Sequence, residues 1–385
     1  MRLLHTSDWH VGKAIRGRSR ADEHRAVLAE IAAVADQRDV DLVIVAGDLF
    51  DTAAPTAESE AIVYRALLAL ATGGRPVVVV AGNHDSAQRL AAVAPLSQAS
   101  GIRVAAAVRP AGDGGVLEVE AGGETAQVAL LPFPSQRYVV TADLLCSGDA
   151  ADAHAAYAER VVRILGVLAG GFRAGAVTVV AAHLMVMGGT MGGGERGAHT
   201  VFDYWVPATA FPPSVQYVAL GHLHRAQHLP GPAPLHYCGS PLQLDFGETA
   251  NQPVVNVVDV RPGLPAEVTA VPLTAGRRLR TVRGALVDVL AAAGAGVEGG
   301  DHLRVVLDES GRAGLADEVR ERLPDAVEVV LAPREAERAE ATDGAERLRR
   351  TPQDLFREYL SERDAADERV IGLFDELVDE LVAEP

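Results

Sequence analysis

Cysteine is scarce in this chain of 385 residues, which contains only Cys146 and Cys238. Two cysteines cannot form the disulfide framework of a small secreted domain, so we expect a reducing compartment, the cytoplasm. Long apolar runs are also lacking, since none reaches the roughly 18 residues of a membrane-spanning helix. The first residues read as a strand rather than as a signal peptide. The sequence therefore argues against a membrane partner.

Lysine is nearly absent, because Lys13 alone accompanies 34 arginines. The formal net charge of −17 argues against a protein that binds nucleic acid through bulk positive charge. The acidity is uneven, however. Residues 301–385 carry 24 acidic residues and 12 arginines, a net charge of −12, which leaves −5 for residues 1–300. Two divalent cations would cancel most of that remainder, so DNA stays possible as a substrate.

Short apolar runs rich in β-branched residues alternate with amphipathic segments, a pattern typical of an α/β fold. The run at 42–46 is apolar throughout, as in a strand buried on both faces of a sheet. Three further runs, at 235–238, 254–260 and 267–273, indicate strands that pair antiparallel.

The composition changes near residue 275, which predicts a core domain of residues 1–275. Within 276–335, two strand-like runs around a helix indicate a small α/β module. Residues 336–385 start as a charged linker and continue as helices. The first of these helices is predicted from Thr351 in the cap position and Pro352 in the first turn.

Five predicted strands end in residues of the kind that bind metal ions. These are Asp8 and His10, Asp48, Asn83 and His84, His183, and His222 with His224. Because ligands gather at the carboxyl ends of strands in open α/β sheets, we expect these side chains to share one crevice. Oxygen and imidazole donors without thiolates suit manganese, iron or zinc. Seven or eight donors are too many for one ion and fit two ions that share Asp48. Such a pair supports in-line displacement at phosphorus.

The motifs Asp8-x-His10, Gly47-Asp48, Gly82-Asn83-His84-Asp85, His183 and Gly221-His222-x-His224 resemble the five motifs of the calcineurin-like metallophosphoesterases. Longer stretches, at 5–12, 46–52, 219–226 and 237–241, resemble the bacterial SbcD family of nuclease subunits. The resemblance covers about residues 1–260. It implies a two-sheet α/β/β/α sandwich, followed by a small C-terminal α/β capping domain and terminal helices.

The resemblance also implies a role for each motif residue. One ion would be held by Asp8, His10, Asp48 and His224, and the other by Asp48, Asn83, His183 and His222. The usual metal in such families is Mn²⁺, with Mg²⁺, Fe²⁺ and Zn²⁺ as alternatives. His84 would act on the phosphate as a catalytic residue rather than as a ligand. Asp85 would orient His84.

Several polar residues near these motifs have two interpretations. Asp51 is either a support for a metal ligand or a loop residue. Ser240 either contacts substrate or belongs to an ordinary β-turn. Five arginines either contact DNA phosphates or are solvated surface groups. They are Arg225 and the cluster of Arg277, Arg278, Arg280 and Arg283.

The resemblance implies a nuclease that works with an SMC-like ATPase subunit in DNA repair, recombination and replication. It would degrade duplex ends as an exonuclease and cut single strands and hairpins as an endonuclease. The family forms a homodimer within a heterotetramer. Segments 57–72 and 86–98 are candidates for the dimer contact, with Leu67, Leu68 and Leu70 as apolar residues. Phe374, Leu377 and Leu381 are candidates for the contact with the ATPase.

Two alternative functions fit parts of the same sequence. A small-molecule phosphodiesterase or phosphatase would explain the motifs and the negative charge, but not the module after residue 275 or the terminal helices. A non-catalytic structural subunit of the ATPase complex would explain the terminal helices. It would not explain His84, because a purely structural metal site needs no histidine beyond its ligands.

Overall fold

The computed structural model describes residues 1–135, 157–195, 204–296, 300–332, 356–357, 360 and 369–374. Its strands are β1 (Arg2–Thr6), β2 (Ala14–Ile15), β3 (Arg18–Ser19), β4 (Leu42–Val45), β5 (Val77–Val80), β6 (Ile102–Ala105), β7 (Val116–Ala121), β8 (Glu124–Leu131), β9 (Val177–His183), β10 (Met185–Val186), β11 (Trp205–Val206), β12 (Tyr217–Gly221), β13 (Gln227–Leu229), β14 (Leu235–Tyr237), β15 (Val254–Asp259), β16 (Glu267–Pro272), β17 (Leu279–Gly284), β18 (His302–Leu307) and β19 (Ala326–Leu331). Its α-helices are α1 (Ala21–Gln37), α2 (Ala57–Leu70), α3 (Ala87–Gln98), α4 (Tyr157–Gly170), α5 (Leu286–Gly296) and α6 (Leu315–Arg322).

Two six-stranded sheets form the centre of the molecule. The first has the order β16-β15-β1-β4-β5-β6, and the second has the order β13-β14-β12-β9-β8-β7. In the first sheet β1, β4, β5 and β6 run parallel, so their carboxyl ends lie at one edge. In the second sheet β8, β9 and β12 also run parallel.

The two sheets pack face to face, with helices on the outer faces. The layer between the sheets contains Ile44 and Val80 of the first sheet together with Val128 and Ala181 of the second, all fully buried. Helices α1 and α2 cover the outer face of the first sheet, and α4 covers that of the second. This arrangement confirms the predicted α/β/β/α sandwich. It also explains why the central strands are apolar on both faces.

The pairing of the later strands differs in part from the prediction. Strands β15 and β16 pair antiparallel, as expected. Strand β14 lies in the other sheet, however, where it pairs parallel with β12 and antiparallel with β13. Periodicity predicts that a segment is a strand, but it does not identify the neighbouring strand in the sheet.

Helix α2 divides the proposed dimer residues into two groups. Thr56 accepts a hydrogen bond from the Ser59 N–H and so caps the first turn. Leu67 and Leu70 face the sheet and are buried in the core, whereas 51% of Leu68 is exposed. Of the three leucines, only Leu68 is available for a partner. No helix within the described ranges is long and apolar enough to cross a membrane.

Strands β17, β18 and β19 form a three-stranded parallel sheet with its own apolar cluster, which includes Val289, Val305 and Val319. It contacts the preceding part of the chain through polar groups, including Glu23 with His302 and the Gln243 side chain with the Leu279 N–H. The domain boundaries predicted at residues 275 and 335 stay predictions. Near the C-terminus, the rings of Phe374 and Phe356 stack with their centroids 3.9 Å apart, and Leu377 and Leu381 lie outside the described residues.

Candidate metal centre

The structure brings all the predicted ligand residues to the edge where the two sheets meet. From the first sheet, Asp8 and His10 follow β1, Asp48 follows β4, and Asn83 and His84 follow β5. From the second sheet, His183 ends β9, and His222 and His224 follow β12. All of these side chains except Asn83 are buried, and Asn83 is half-buried. Segments up to 216 residues apart in sequence thus meet in one place.

Asp48 lies between two groups of candidate ligands. Its Oδ2 atom is 3.5 Å from His10 Nε2 and 3.4 Å from His183 Nε2. In the described part of the chain, three groups of side chains have ligand atoms that all lie within 4.8 Å of one another. One is Asp8, His10 and His224, and the other two both contain Asp48, once with His10 and His84 and once with Asp8 and His183. This is the placement expected for a carboxylate shared by two ions.

Asn83 completes the second group. Its Oδ1 atom lies 3.0 Å from His183 Nε2 and 2.7 Å from His222 Nδ1, and the two histidine nitrogens are 3.2 Å apart. The other ring nitrogen of His183, Nδ1, donates to the Ala46 carbonyl 2.8 Å away. His183 Nε2 is therefore the ring atom that faces Asn83 and Asp48.

The backbone at the ligand positions is strained. Asp8, His10, Asp48 and His222 have φ angles of 53°, 46°, 52° and 103°, in a region that residues with a side chain rarely adopt. Such strain concentrates at functional sites because the surrounding structure must hold it in place. Gly82 is required for a different reason. A Cβ atom there would lie 2.1 Å from Asp48 Oδ1.

The electrostatics of the buried site favour a cation. Burial raises the pKa of Asp8, although the neighbouring His183 and His224 oppose this shift. Burial alone would also raise the pKa of Asp48, but the surrounding histidines, led by His183, hold it well below its usual range. Burial likewise opposes protonation of His183, yet Asp48 and Asp8 raise its pKa to about 9. In the absence of metal, protons on histidine thus balance the carboxylates.

Three further observations indicate that these residues suit a pair of divalent cations. Both ring nitrogens of the buried His10 lack a hydrogen-bond partner within the described part of the chain, and each is 3.5 Å from a carboxylate oxygen. Burial lowers the pKa of His10 to about 4, which keeps the imidazole neutral, as a ligand must be. The donors are carboxylate, amide and imidazole groups, which suit manganese, iron or zinc.

Outside the predicted ligands, two acids of the described chain contact the imidazole rings of ligand histidines. The Asp51 carboxylate is 3.5 Å from His10 Nδ1, and its other contact is Lys13 Nζ at 3.4 Å. Glu248 Oε1 accepts a hydrogen bond of 2.7 Å from His224 Nδ1. Glu248 could not be predicted from the sequence, because it lies on a short 3-10 turn, Phe246–Glu248, and belongs to no motif.

A second missed residue is Phe133, at the tip of β8. Its ring stacks on the His222 ring at a centroid distance of 5.7 Å and an angle of 13°, and Tyr204 stacks on Phe133 at 6.0 Å. The Phe133 ring also lies edge-on to the His183 ring, with the two ring centroids 6.2 Å apart. The tip of β8 thus supplies an aromatic ring that packs against two ligand histidines.

The contact expected between Asp85 and His84 is made by a different residue. His84 Nδ1 donates to the backbone carbonyl of Asp51 at 2.7 Å. The Asp85 carboxylate accepts instead from the N–H groups of Gly82, Leu49 and Phe50. Burial, followed by the charge of Asp48, raises the pKa of Asp85 to about 7. Because its carboxylate accepts these backbone hydrogen bonds, Asp85 holds the loop around Asp48 in place.

The predicted substrate-binding residues lie in varied surroundings. Ser240 is buried and donates to the Leu242 carbonyl at 2.7 Å, as in a turn. Arg277 forms an ion pair with Asp325, and Arg278 contacts Gln252. Arg225 and Arg280 are exposed.

Comparison with known proteins agrees with this geometry. The family model of the calcineurin-like phosphoesterases matches residues 1–170. The SbcD subunit of the nuclease SbcCD from Bacillus subtilis is 38% identical over 283 residues, which cover 72% of this chain and 71% of that protein. The corresponding SbcD protein of Rhodobacter capsulatus is 36% identical, with coverage of 68% and 67%. That of Escherichia coli K12 is 30% identical, with coverage of 76% and 73%. The chain therefore belongs to the SbcD family of nuclease subunits.

Proposed function

We propose that this chain hydrolyses DNA phosphodiester bonds with two divalent metal ions, as the nuclease subunit of a complex with an SMC-like ATPase. The observation that supports this most strongly is the position of Asp48 between two groups of ligand atoms. A single structural ion would not need donors from five strand ends. The names of the relatives support a nuclease that works with a second subunit.

The two proposed ligand sets share Asp48, whose Oδ2 atom is near His10 Nε2 on one side and His183 Nε2 on the other. Asp8, His10, Asp48 and His224 would hold one ion, and Asp48, Asn83, His183 and His222 the other. We propose Mn²⁺ as the metal because the family resemblance implies it, and oxygen and imidazole donors without a thiolate suit it. When bound, two such cations polarise the phosphoryl oxygens and lower the pKa of the attacking water.

His84 is the candidate catalytic side chain. The Asp51 carbonyl holds its Nδ1–H group, which leaves Nε2 as the atom that can meet a phosphate oxygen. The ring lies edge-on to the ring of the proposed ligand His10, with centroids 4.6 Å apart. From this position His84 can stabilise charge on the phosphate or protonate the leaving oxygen.

The proposed substrates are duplex ends, attacked as an exonuclease, and single strands or hairpins, cut as an endonuclease. We further propose a homodimer within a heterotetramer that acts in the cytoplasm in DNA repair and recombination. The exposed side chains of Leu68 on α2 and Leu96 on α3, with exposed fractions of 51% and 77%, supply an apolar surface for the dimer. The helices near the C-terminus are the proposed contact with the ATPase.

The test uses the full chain with Mn²⁺ and blunt duplex DNA, with and without the ATPase subunit. Wild type is compared with Asp48→Asn, His84→Ala and, as a surface control, Asp259→Asn. Loss of digestion in the first two variants but not in the third supports the nuclease. Cleavage of small phosphodiesters only would favour the small-molecule enzyme. Absence of turnover combined with metal-dependent folding would favour the structural subunit.

A further inference from the structure

The side chain of Glu248 is fully buried next to the proposed metal centre. A buried carboxylate is costly unless it is paired and hydrogen-bonded. Both of its oxygens have partners: Oε1 accepts from His224 Nδ1 at 2.7 Å, and Oε2 accepts from the Leu244 N–H at 2.8 Å. The carboxylate therefore has a fixed position and a fixed direction toward the histidine.

The turn that carries Glu248 is itself held on both sides. Asp245 Oδ1 accepts from the Gly247 N–H at 3.0 Å, and the Glu248 carbonyl accepts from the Asn251 N–H at 2.8 Å. The main chain of His224 is fixed separately, because its N–H donates to Glu195 Oε1 at 3.0 Å. Glu195 thus holds the backbone of His224, and Glu248 acts on the imidazole ring alone.

The contact between Glu248 and His224 is unusual among the ligand histidines of the described chain. The carboxylate contacts of His10 and His183 measure 3.4–3.5 Å, too long for a good hydrogen bond. A histidine that binds a metal through one nitrogen commonly donates its other N–H to a carboxylate, which fixes the tautomer and the ring orientation. His224 has such a partner at 2.7 Å.

We propose that Glu248 is a positioning residue of the metal centre, which holds the proton of His224 on Nδ1 and directs Nε2 toward Asp8 and His10. This inference rests on the proposed metal-dependent function. Glu248 would touch neither the metal ions nor the substrate, and its effect would be specific to the ion that His224 holds. The other ion, bound by Asn83, His183 and His222, would be affected little.

The chain offers a matched control in Glu23. Its Oε1 atom is 2.8 Å from His302 Nε2, at the contact between α1 and the sheet of β17 to β19. Like Glu248, Glu23 forms hydrogen bonds to a buried histidine and to a backbone N–H, in this case that of Arg277, and it also accepts from Arg20. Its histidine is not a candidate metal ligand. Replacing either glutamate by glutamine removes a carboxylate–histidine pair, but only Glu248→Gln does so at the metal centre.

The experiment measures Mn²⁺ binding to the full-length, metal-stripped chain by the electron paramagnetic resonance signal of free Mn²⁺. Wild type should bind two ions per chain. Glu248→Gln should weaken one of the two sites by about 10- to 100-fold, in line with the loss of a carboxylate that supports a ligand histidine. Glu23→Gln should bind both ions as wild type does, although both variants lower the melting temperature of the metal-free protein.

A second variant separates positioning from charge and from failure to fold. Glu248→Asp keeps the negative charge but is one methylene shorter, so it cannot reach both His224 and Leu244. It should weaken the same single site. Wild-type affinity in both Glu248 variants, or equal weakening in Glu23→Gln, would overturn the inference. A wild-type chain that binds no Mn²⁺ would refute the proposed function itself, and with it this role of Glu248.

Discussion

The imidazole of His84 is oriented by the main chain of Asp51, whose carbonyl oxygen lies 2.7 Å from His84 Nδ1. The Asp51 side chain points elsewhere, toward His10 and Lys13. One residue therefore supports the candidate catalytic histidine with its backbone and a candidate metal ligand with its carboxylate. The two roles can be separated by substitution, because a side-chain change leaves the carbonyl in place.

We expect His84→Ala to lower the rate of DNA hydrolysis by about 10²- to 10⁴-fold, the usual contribution of a positioned acid or base. Mn²⁺ stoichiometry should remain at the wild-type value, because His84 is not a proposed ligand. Single-turnover digestion of end-labelled duplex measures the rate of hydrolysis, and titration with Mn²⁺ measures the number of ions bound per chain. Loss of a bound ion in His84→Ala would mean that His84 is a ligand after all.

Asp51→Asn should lower the affinity for Mn²⁺ and leave the hydrolysis rate nearly unchanged, the opposite of His84→Ala. The carbonyl that holds His84 is unchanged, but the charge that faces His10 Nδ1 at 3.5 Å is removed. We expect Mn²⁺ affinity to fall, by no more than about 10- to 100-fold, while the hydrolysis rate at saturating Mn²⁺ stays near that of wild type. A rate that is still low when metal is saturating would show that Asp51 also takes part in the reaction.

Gly82→Ala should disrupt the metal centre by steric contact alone. The new Cβ would lie 2.1 Å from Asp48 Oδ1, and the φ angle of Gly82 is not among the positive values, so backbone strain is not the cause. We expect loss of Mn²⁺ binding together with a lower melting temperature. Gly166→Ala, in α4 and with no atom within 4 Å of the added Cβ, serves as the control. It should stabilise the protein by about 0.5–1 kcal/mol.

Removal of metal should lower the stability of the fold. At the centre, Asp8 and Asp48 are both fully or almost fully buried, and cations that bind only the folded state stabilise it. Mn²⁺ at a hundred times its dissociation constant should add about 2.7 kcal/mol for each site. Thermal unfolding with Mn²⁺ and with a chelator gives the difference. This difference should be much smaller in Asp48→Asn, and an unchanged difference would contradict the assignment of Asp48.

Acid should destabilise the protein through His24, a buried residue of α1 that is not a candidate metal ligand. Burial, followed by the charge of Arg20, lowers the pKa of His24 from 6.5 to about 4 in the folded state. The unfolded chain therefore binds a proton that the folded chain does not, between these two pH values. Stability is present above pH 6.5 and falls as the pH decreases toward 4, by at most about 1.4 kcal/mol per pH unit.

The comparison of wild type with His24→Gln isolates this group, since all other titrations are shared. Urea unfolding of the metal-free proteins at pH 7, 6 and 5 should show the stability advantage of wild type shrinking as the pH decreases. A constant difference between the two proteins across this range would show that His24 does not titrate in the predicted way.

The ligand residues could be predicted from the sequence because each follows an apolar run that must be a buried strand. Asp48 after Ala46-Gly47 is the clearest example. Once the strands are parallel, their tips must meet, so no further information is needed to bring the residues together. The α/β/β/α sandwich follows instead from the family resemblance, and strands that are apolar on both faces agree with it, because each face needs a covering layer.

Contacts that depend on tertiary packing could not be predicted in this way. Glu248 reaches His224 from a 3-10 turn, and Phe133 reaches His222 from a strand tip without a ligand. The family resemblance implies that Asp85 orients His84, its neighbour in sequence. In the structure the short Asp85 side chain accepts hydrogen bonds from backbone N–H groups. The His84 ring donates to the carbonyl of Asp51, which lies in a different loop. Adjacent positions in sequence did not imply adjacent side chains.

The division of the ligands between two sheets has a consequence for biosynthesis. A nascent chain that has emerged only as far as β8 carries Asp8, His10, Asp48 and Asn83, but not His183, His222 or His224. Neither proposed ion would then have its full set of donors. Under the proposed ligand assignment, hydrolysis of DNA can therefore begin only after both sheets have formed and docked, so an unfinished polypeptide would not cut nearby DNA.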